Sequence, residues 1–126
     1  MTVPLNVPVD ETTAAWWDAT RQRRLTVQRC TACGHHQHYP RPLCLRCGAP
    51  EPPLVDTAGT GVVETFTVVR RADPPYAVAI VALPEGPRLV SNVEPWQDAA
   101  IGAAVAVDWR PLGDGRNLPV FRLILP

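Results

Sequence analysis

Two Cys-x-x-Cys pairs, Cys30-Thr31-Ala32-Cys33 and Cys44-Leu45-Arg46-Cys47, stand ten residues apart and constrain this chain more than any other feature. Each pair lets two thiolates reach one ion about 2.3 Å away, and two pairs complete a tetrahedral shell. Gly34 and Gly48 follow the second cysteine of each pair. A residue without Cβ closes such a turn at positive φ without steric cost. Ten intervening residues suffice for a hairpin that brings the pairs together. A redox dithiol would need one pair opening a helix in a βαβ unit, and the chain has two pairs without that unit. Tetrahedral sulfur accepts zinc or iron, and zinc is the expected ion. With Cys30, Cys33, Cys44 and Cys47 filling its shell, it serves structure, not catalysis. His35, His36 and His38, just after the first pair, are expected to be solvated loop residues.

The first ten residues have neither a basic start nor an apolar run, so no signal peptide is expected. No stretch approaches the roughly 20 apolar residues that cross a bilayer. The expected compartment is the cytoplasm, where cysteines serve as metal ligands rather than disulfides.

Composition divides the chain into residues 1–28, 29–50 and 51–126. The first segment opens with the Pro-punctuated strip Val3-Pro4-Leu5-Asn6-Val7-Pro8, then predicts a helix over Glu11–Arg23. Asp10 is its expected N-cap, and Arg21, Arg23 and Arg24 suit its negative C-terminal end. Trp16 and Trp17 lie about 100° apart around that helix. Two indoles on one short helix are not expected to bury each other. They either pack on the rest of the chain or anchor a partner protein. The last segment alternates as strands do, over 61–69, 76–83, 88–93, 104–109 and 118–124, with turns marked by Gly and Pro. Five short strands predict a small barrel of the OB type. The expected architecture is mainly β: N-terminal helix, metal ribbon, OB-fold barrel.

Charge excludes a general nucleic-acid glove, since twelve basic and twelve acidic residues cancel. Every basic residue is Arg, so lysine Schiff-base chemistry is closed off. Residues 21–47 nevertheless hold six Arg and no acid, a patch of about +4 once a metal with four thiolates is counted. In the barrel segment, nine acids outnumber six Arg, and Tyr76 and Arg88 are the main nucleic-acid-like features of its second and third strands.

The Trp-bearing helix before Leu25-Thr26-Val27-Gln28-Arg29-Cys30-Thr31-Ala32-Cys33-Gly34, then Tyr39-Pro40-Arg41-Pro42, Cys44-Leu45-Arg46-Cys47-Gly48, Gly61–Val69 and Leu118-Pro119-Val120-Phe121, carry a resemblance across nearly the whole chain. In this order they resemble the "domain of unknown function 35" family: OB-fold, acyl-CoA-associated proteins with a rubredoxin-like zinc ribbon. The resemblance implies an accessory subunit that completes a thiolase-like enzyme, an acyltransferase or a steroid side-chain retro-aldolase, and helps accommodate its CoA substrate. A hotdog-fold enoyl-CoA hydratase is the nearest alternative partner, and a nucleic-acid-binding OB module is the competing class.

The residue inventory agrees with an accessory role. A thiolase-type reaction needs a free cysteine, and all four are committed to metal. There is one serine, Ser91, and no Gly-x-Ser-x-Gly elbow, so no catalytic residue is assigned. Partner docking is expected at Trp16, Trp17, Arg41 and Arg46, because interfaces favour Trp and Arg over Lys.

Overall fold

The computed structural model describes residues 7–124, which form two compact units. The first holds the described residues up to Thr57 together with Arg110–Leu118. The second holds Ala58–Trp109 and the described residues from Pro119 onward. Helix and ribbon thus share one unit, and a segment from late in the chain joins them. Residues 3–6 of the expected N-terminal strip lie outside the described residues, and Val7 and Pro8 have no regular structure.

The first unit is a short helix, α1 (Ala14–Arg21), with a three-stranded antiparallel sheet. Its strands, β1 (Thr26–Arg29), β2 (His36–Gln37) and β3 (Leu54–Asp56), lie in the order β2-β1-β3. The helix is shorter than the sequence suggests, and Thr13 rather than Asp10 is its N-cap. Asp10 instead closes the turn before it: its Oδ1 accepts the Thr13 N–H at 3.0 Å, and its own N–H donates to Thr13 Oγ1 at 3.1 Å. The far end closes with the Arg24 N–H on the Ala19 carbonyl and the Arg23 N–H on the Thr20 carbonyl. Arg23 takes the left-handed conformation, φ 56°, where glycine is usual.

Trp16, Trp17, Ala19 and Thr20 are the buried residues of α1, and the N-cap Thr13 extends the Trp16, Trp17 and Thr20 stripe by one turn. The indoles are 4% and 5% exposed and meet edge to face, with ring centroids 4.7 Å apart. Contrary to expectation, each therefore helps to bury the other. Both polar handles are satisfied: Trp16 Nε1 donates to the Thr26 carbonyl at 2.9 Å and Trp17 Nε1 to Tyr39 Oη at 2.6 Å. Residues 110–118 add Leu112, which is buried, and Asn117, whose Nδ2 donates to the Thr20 carbonyl at 2.9 Å. Arg116 lays its guanidinium over the Trp17 ring, 5.1 Å from the centroid.

The second unit is a closed barrel in the order β4-β5-β6-β8-β7. Its strands are β4 (Thr60–Val69), β5 (Tyr76–Ala82), β6 (Arg88–Glu94), β7 (Ala104–Pro111) and β8 (Asn117–Leu123). These match the five predicted strands to within two residues at each end. The β6–β8 pairing is parallel, while β4–β5, β4–β7 and β5–β6 are antiparallel. Alternate side chains of β5, Ala77, Ala79 and Val81, face a core completed by Val63, Leu89, Val93, Val105, Val120 and Phe121. Gly61 sits where β4 passes between β5 and β7, and a Cβ there would lie 2.5 Å from Val81 Cγ1. Among the described residues, no helix is long and apolar enough to cross a membrane.

Burial makes Trp16 a core residue, so Trp16→Ala should cost about 3–5 kcal/mol of stability. Chemical denaturation of the whole chain followed by circular dichroism checks this, with half-exposed Trp96→Ala expected to cost less.

Candidate metal centre

Two copies of one backbone device build the centre. In the first, the Gly34 N–H donates to the Cys30 carbonyl at 2.8 Å and the Cys30 N–H to the His35 carbonyl at 2.9 Å. In the second, the Gly48 N–H donates to the Cys44 carbonyl at 2.9 Å and the Cys44 N–H to the Ala49 carbonyl at 2.8 Å. Gly34 and Gly48 have φ of 78° and 79°, the positive values that the pattern demanded. In each pair the first cysteine, Cys30 or Cys44, is buried and the second, Cys33 or Cys47, is exposed.

The four Sγ atoms all lie within 4.8 Å of one another. Cys30 and Cys47 approach to 3.5 Å and Cys33 and Cys44 to 3.7 Å. Ligands about 2.3 Å from a tetrahedral ion stand roughly 3.8 Å apart, so this cluster fits one metal ion held by four thiolates. Backbone N–H groups of Cys33 and Ala32, opposed in part by burial, lower the Cys30 thiol to about 6. Cys47 receives a backbone N–H from Ala49, yet the neighbouring Cys30 sulfur and burial push it up to about 12. Without a cation, four sulfurs this close do not all give up their protons. Metal binding must displace protons, and affinity must fall with pH.

The histidines depart from expectation. His35 and His36 are half-buried, with His36 in β2 opposite Arg29. His38 stacks near Trp16 and Tyr39, at centroid distances of 5.5 and 5.2 Å, and its Nδ1 is buried without a hydrogen-bond partner. Desolvation by burial lowers its imidazole to about 4. It is a wall of the indole cluster rather than a solvated loop residue.

Two residues that the sequence reading did not single out face each other on β1 and β2. Gln28 Oε1 accepts from Gln37 Nε2 at 2.9 Å and from the Arg41 N–H at 2.8 Å, while its Nε2 donates to the Arg41 and Pro52 carbonyls. Gln37 Nε2 also donates to the Leu43 carbonyl at 3.1 Å, and its Oε1 accepts the Leu45 N–H at 2.9 Å. Both side chains are buried. No periodicity marks them, since three successive residues of β1 are buried and β2 has only two residues; only the fold, which sets Gln28 opposite Gln37, reveals that they bond each other.

Of the four expected docking residues, Trp16 and Trp17 are buried by their own chain, which corrects that expectation. Arg41 and Arg46 are exposed and have no ion-pair partner among the described residues. Exposed Leu43 and Leu45 accompany them on the second knuckle. On the barrel, Arg88 pairs with Glu64 at 2.7 Å, and Arg122 pairs with Glu94 and Asp108. Arg70 stacks over the Trp96 ring, 5.6 Å from its centroid.

A four-cysteine ribbon followed by a closed five-stranded barrel defines the class of ribbon-plus-OB-fold proteins. Residues 17–53 match the family model described as ChsH2, rubredoxin-like zinc ribbon domain, and residues 54–110 match ChsH2, C-terminal OB-fold domain. The solved structure named Ltp2-ChsH2(DUF35) aldolase is 38% identical, with a TM-score of 0.84 over 95% of this chain and 100% of that one. The chain therefore belongs to the DUF35 family, in its ChsH2 branch. A DUF35-family protein of unknown function from Sulfolobus solfataricus shares the fold, with a TM-score of 0.71 at 16% identity over 92% of this chain and 85% of that chain. A Thermomonospora curvata protein named probable enoyl-CoA hydratase alpha subunit is 39% identical over 94% of this chain. The chain spans 39% of that relative's length.

Metal binding by four thiolates is worth on the order of 10 kcal/mol of folding free energy in small ribbons. Cys30→Ser and Cys47→Ser should each lose the ion and melt the ribbon while much of the barrel persists. Metal analysis with circular dichroism tests this, and undiminished metal in both variants would refute the ligand set. A separate expectation concerns His38. Its unfolded form takes a proton near 6.5 and its folded form only near 4. The unfolded state binds more protons in that window, so stability falls as pH drops through it, by about 3 kcal/mol in all. Unfolding measured for the wild type and His38→Gln at matched pH should show the difference shrinking in the variant's favour between pH 6.5 and 4.

Proposed function

We propose that this chain is the zinc-bearing accessory component of an acyl-CoA-processing enzyme of the thiolase-like, retro-aldolase kind, working in the cytoplasm. The observation that carries this reading is the full-length likeness to the aldolase-complex chain. The family model describes the ribbon as a zinc domain, and the sulfur tetrahedron suits that ion.

The partner supplies the reacting groups. The four cysteines form the metal cluster, and the single serine, Ser91, spends its hydroxyl on the Pro119 carbonyl at 2.9 Å. Neither has an activating base beside it of the kind an acyl-accepting nucleophile uses: Ser91 donates to a backbone carbonyl and the cysteines face one another. The chain's own contribution is to complete the complex and help seat the CoA portion of the substrate.

A hydratase complex is the second reading, favoured by the name of the Thermomonospora curvata relative. Purified alone, the chain should leave acyl-CoA substrates unchanged, and with a thiolase-like partner it should give a stable, active complex. Turnover by the chain alone would overturn the accessory reading, and stable assembly only with a hydratase would favour the second.

Docking runs through the second knuckle, where Arg41 and Arg46 stand exposed beside Leu43 and Leu45. Arginine anchors beside apolar contacts are typical of residues that dominate interface energy. Arg41→Ala combined with Arg46→Ala should weaken assembly by roughly tenfold or more. Calorimetric titration of partner and chain measures this, with the chain's own melting temperature expected to stay put.

A further inference from the structure

The two halves of the metal centre arrive by different routes. Cys30 and Cys33 sit on the turn after β1, and His36–Gln37 of β2 leads straight back beside that strand. Cys44 and Cys47 have no such support. Between Gln37 and Leu54 the chain forms no strand of a sheet; an isolated bridge between Leu43 and Pro50, with the Cys44 N–H on the Ala49 carbonyl and the Glu51 N–H on the Pro42 carbonyl, closes the knuckle on itself without tying it to the first pair. Something else must hold the second knuckle at the distance one ion requires.

We infer that the Gln28–Gln37 carboxamide pair is that device: a positioning clasp that presets the second knuckle for the metal. It rests on the reading of the four cysteines as a zinc site. Its bonds divide the work clearly. Gln28 holds both the N–H and the carbonyl of Arg41 and ties them to the Pro52 carbonyl. Gln37 grips the Leu43 carbonyl and the Leu45 N–H, the backbone groups of the residues on either side of Cys44. The bond from Gln37 Nε2 to Gln28 Oε1 locks the two grips together.

The amide chemistry is fully used. Both protons of each carboxamide nitrogen are donated, Gln28 Oε1 accepts twice and Gln37 Oε1 once. Buried polar networks add rigidity when every member is satisfied, and this one is. A carboxamide is also the side chain suited to the task, because it must both donate and accept. Glutamate at 37 would keep only the bond from Leu45 and turn a carboxylate oxygen toward Gln28 Oε1 and the Leu43 carbonyl. Glutamate at 28 would keep two of its four bonds.

The clasp contributes no ligand, so its effect lies in how long the ion stays. Loss of an outer-shell partner typically costs 10–100-fold in metal affinity. The test uses the whole chain loaded with zinc and a chromogenic chelator in excess. Gln37→Ala should release zinc 10–100-fold faster than the wild type. Gln37→Glu should release it faster than Gln28→Glu. Arg24→Ala, which breaks the Arg24–Asp56 ion pair of the same unit, should leave the rate unchanged. Amide exchange at Leu45 should be slow in the wild type and fast in Gln37→Ala, while exchange within the β1–β3 pairing stays slow.

Unchanged release in both Gln37 variants, or equal acceleration in Arg24→Ala, would overturn the clasp and leave the zinc site standing. A wild-type chain that takes up no zinc would remove both readings. If Gln37→Ala fails to fold, the order of the two glutamate variants decides.

Discussion

Sulfur repulsion and its relief by one cation govern the first unit. Four sulfurs within 4.8 Å of one another cannot all be thiolates without a positive centre, so the cluster is shaped to gain from one cation. Everything near it serves the same end: paired glycines at positive φ, backbone N–H groups aimed at sulfur, and a buried amide pair behind the second knuckle. The helix contributes differently. Its indoles supply the apolar mass that so small a sheet lacks, and Thr26 and Tyr39 satisfy their N–H groups.

The barrel needs no such staple. Ring closure leaves none of its strands as a free edge, and alternation of small and branched residues fills the centre. Some of its charged side chains pair across strands, as Arg88 does with Glu64 and Arg122 with Asp108.

Much of this was legible in the residues themselves. Cys-x-x-Cys-Gly is a local pattern with one economical geometry, and period-two alternation located all five barrel strands. The misses share a cause. Asp10 makes the side-chain bond expected of a cap, to the Thr13 N–H, but one turn earlier than the regular helix, whose N-cap is Thr13. His38 looked solvated because its neighbours in sequence are polar, whereas its neighbours in space are Trp16 and Tyr39. The same applies to Trp16 and Trp17, whose partners lie 10 and 22 residues away. Gln28 and Gln37 were invisible for a stronger reason: nothing in a glutamine announces the carbonyl it will meet.

The course of the chain between its units has a consequence for modularity. The backbone leaves the barrel after Trp109, spends residues 110–118 with the helix and ribbon, and returns to the barrel at Pro119. Leu112, Arg116 and Asn117 thus belong to the helix and ribbon in space but to the barrel in sequence. A cut at residue 53, where the two family models meet, falls between sequence families rather than between folding units. Ribbons exchanged between relatives at that seam would meet another chain's residues at the places of Arg116 over Trp17 and Asn117 on Thr20. For such a graft to keep these bonds, residues 110–118 have to travel with the ribbon.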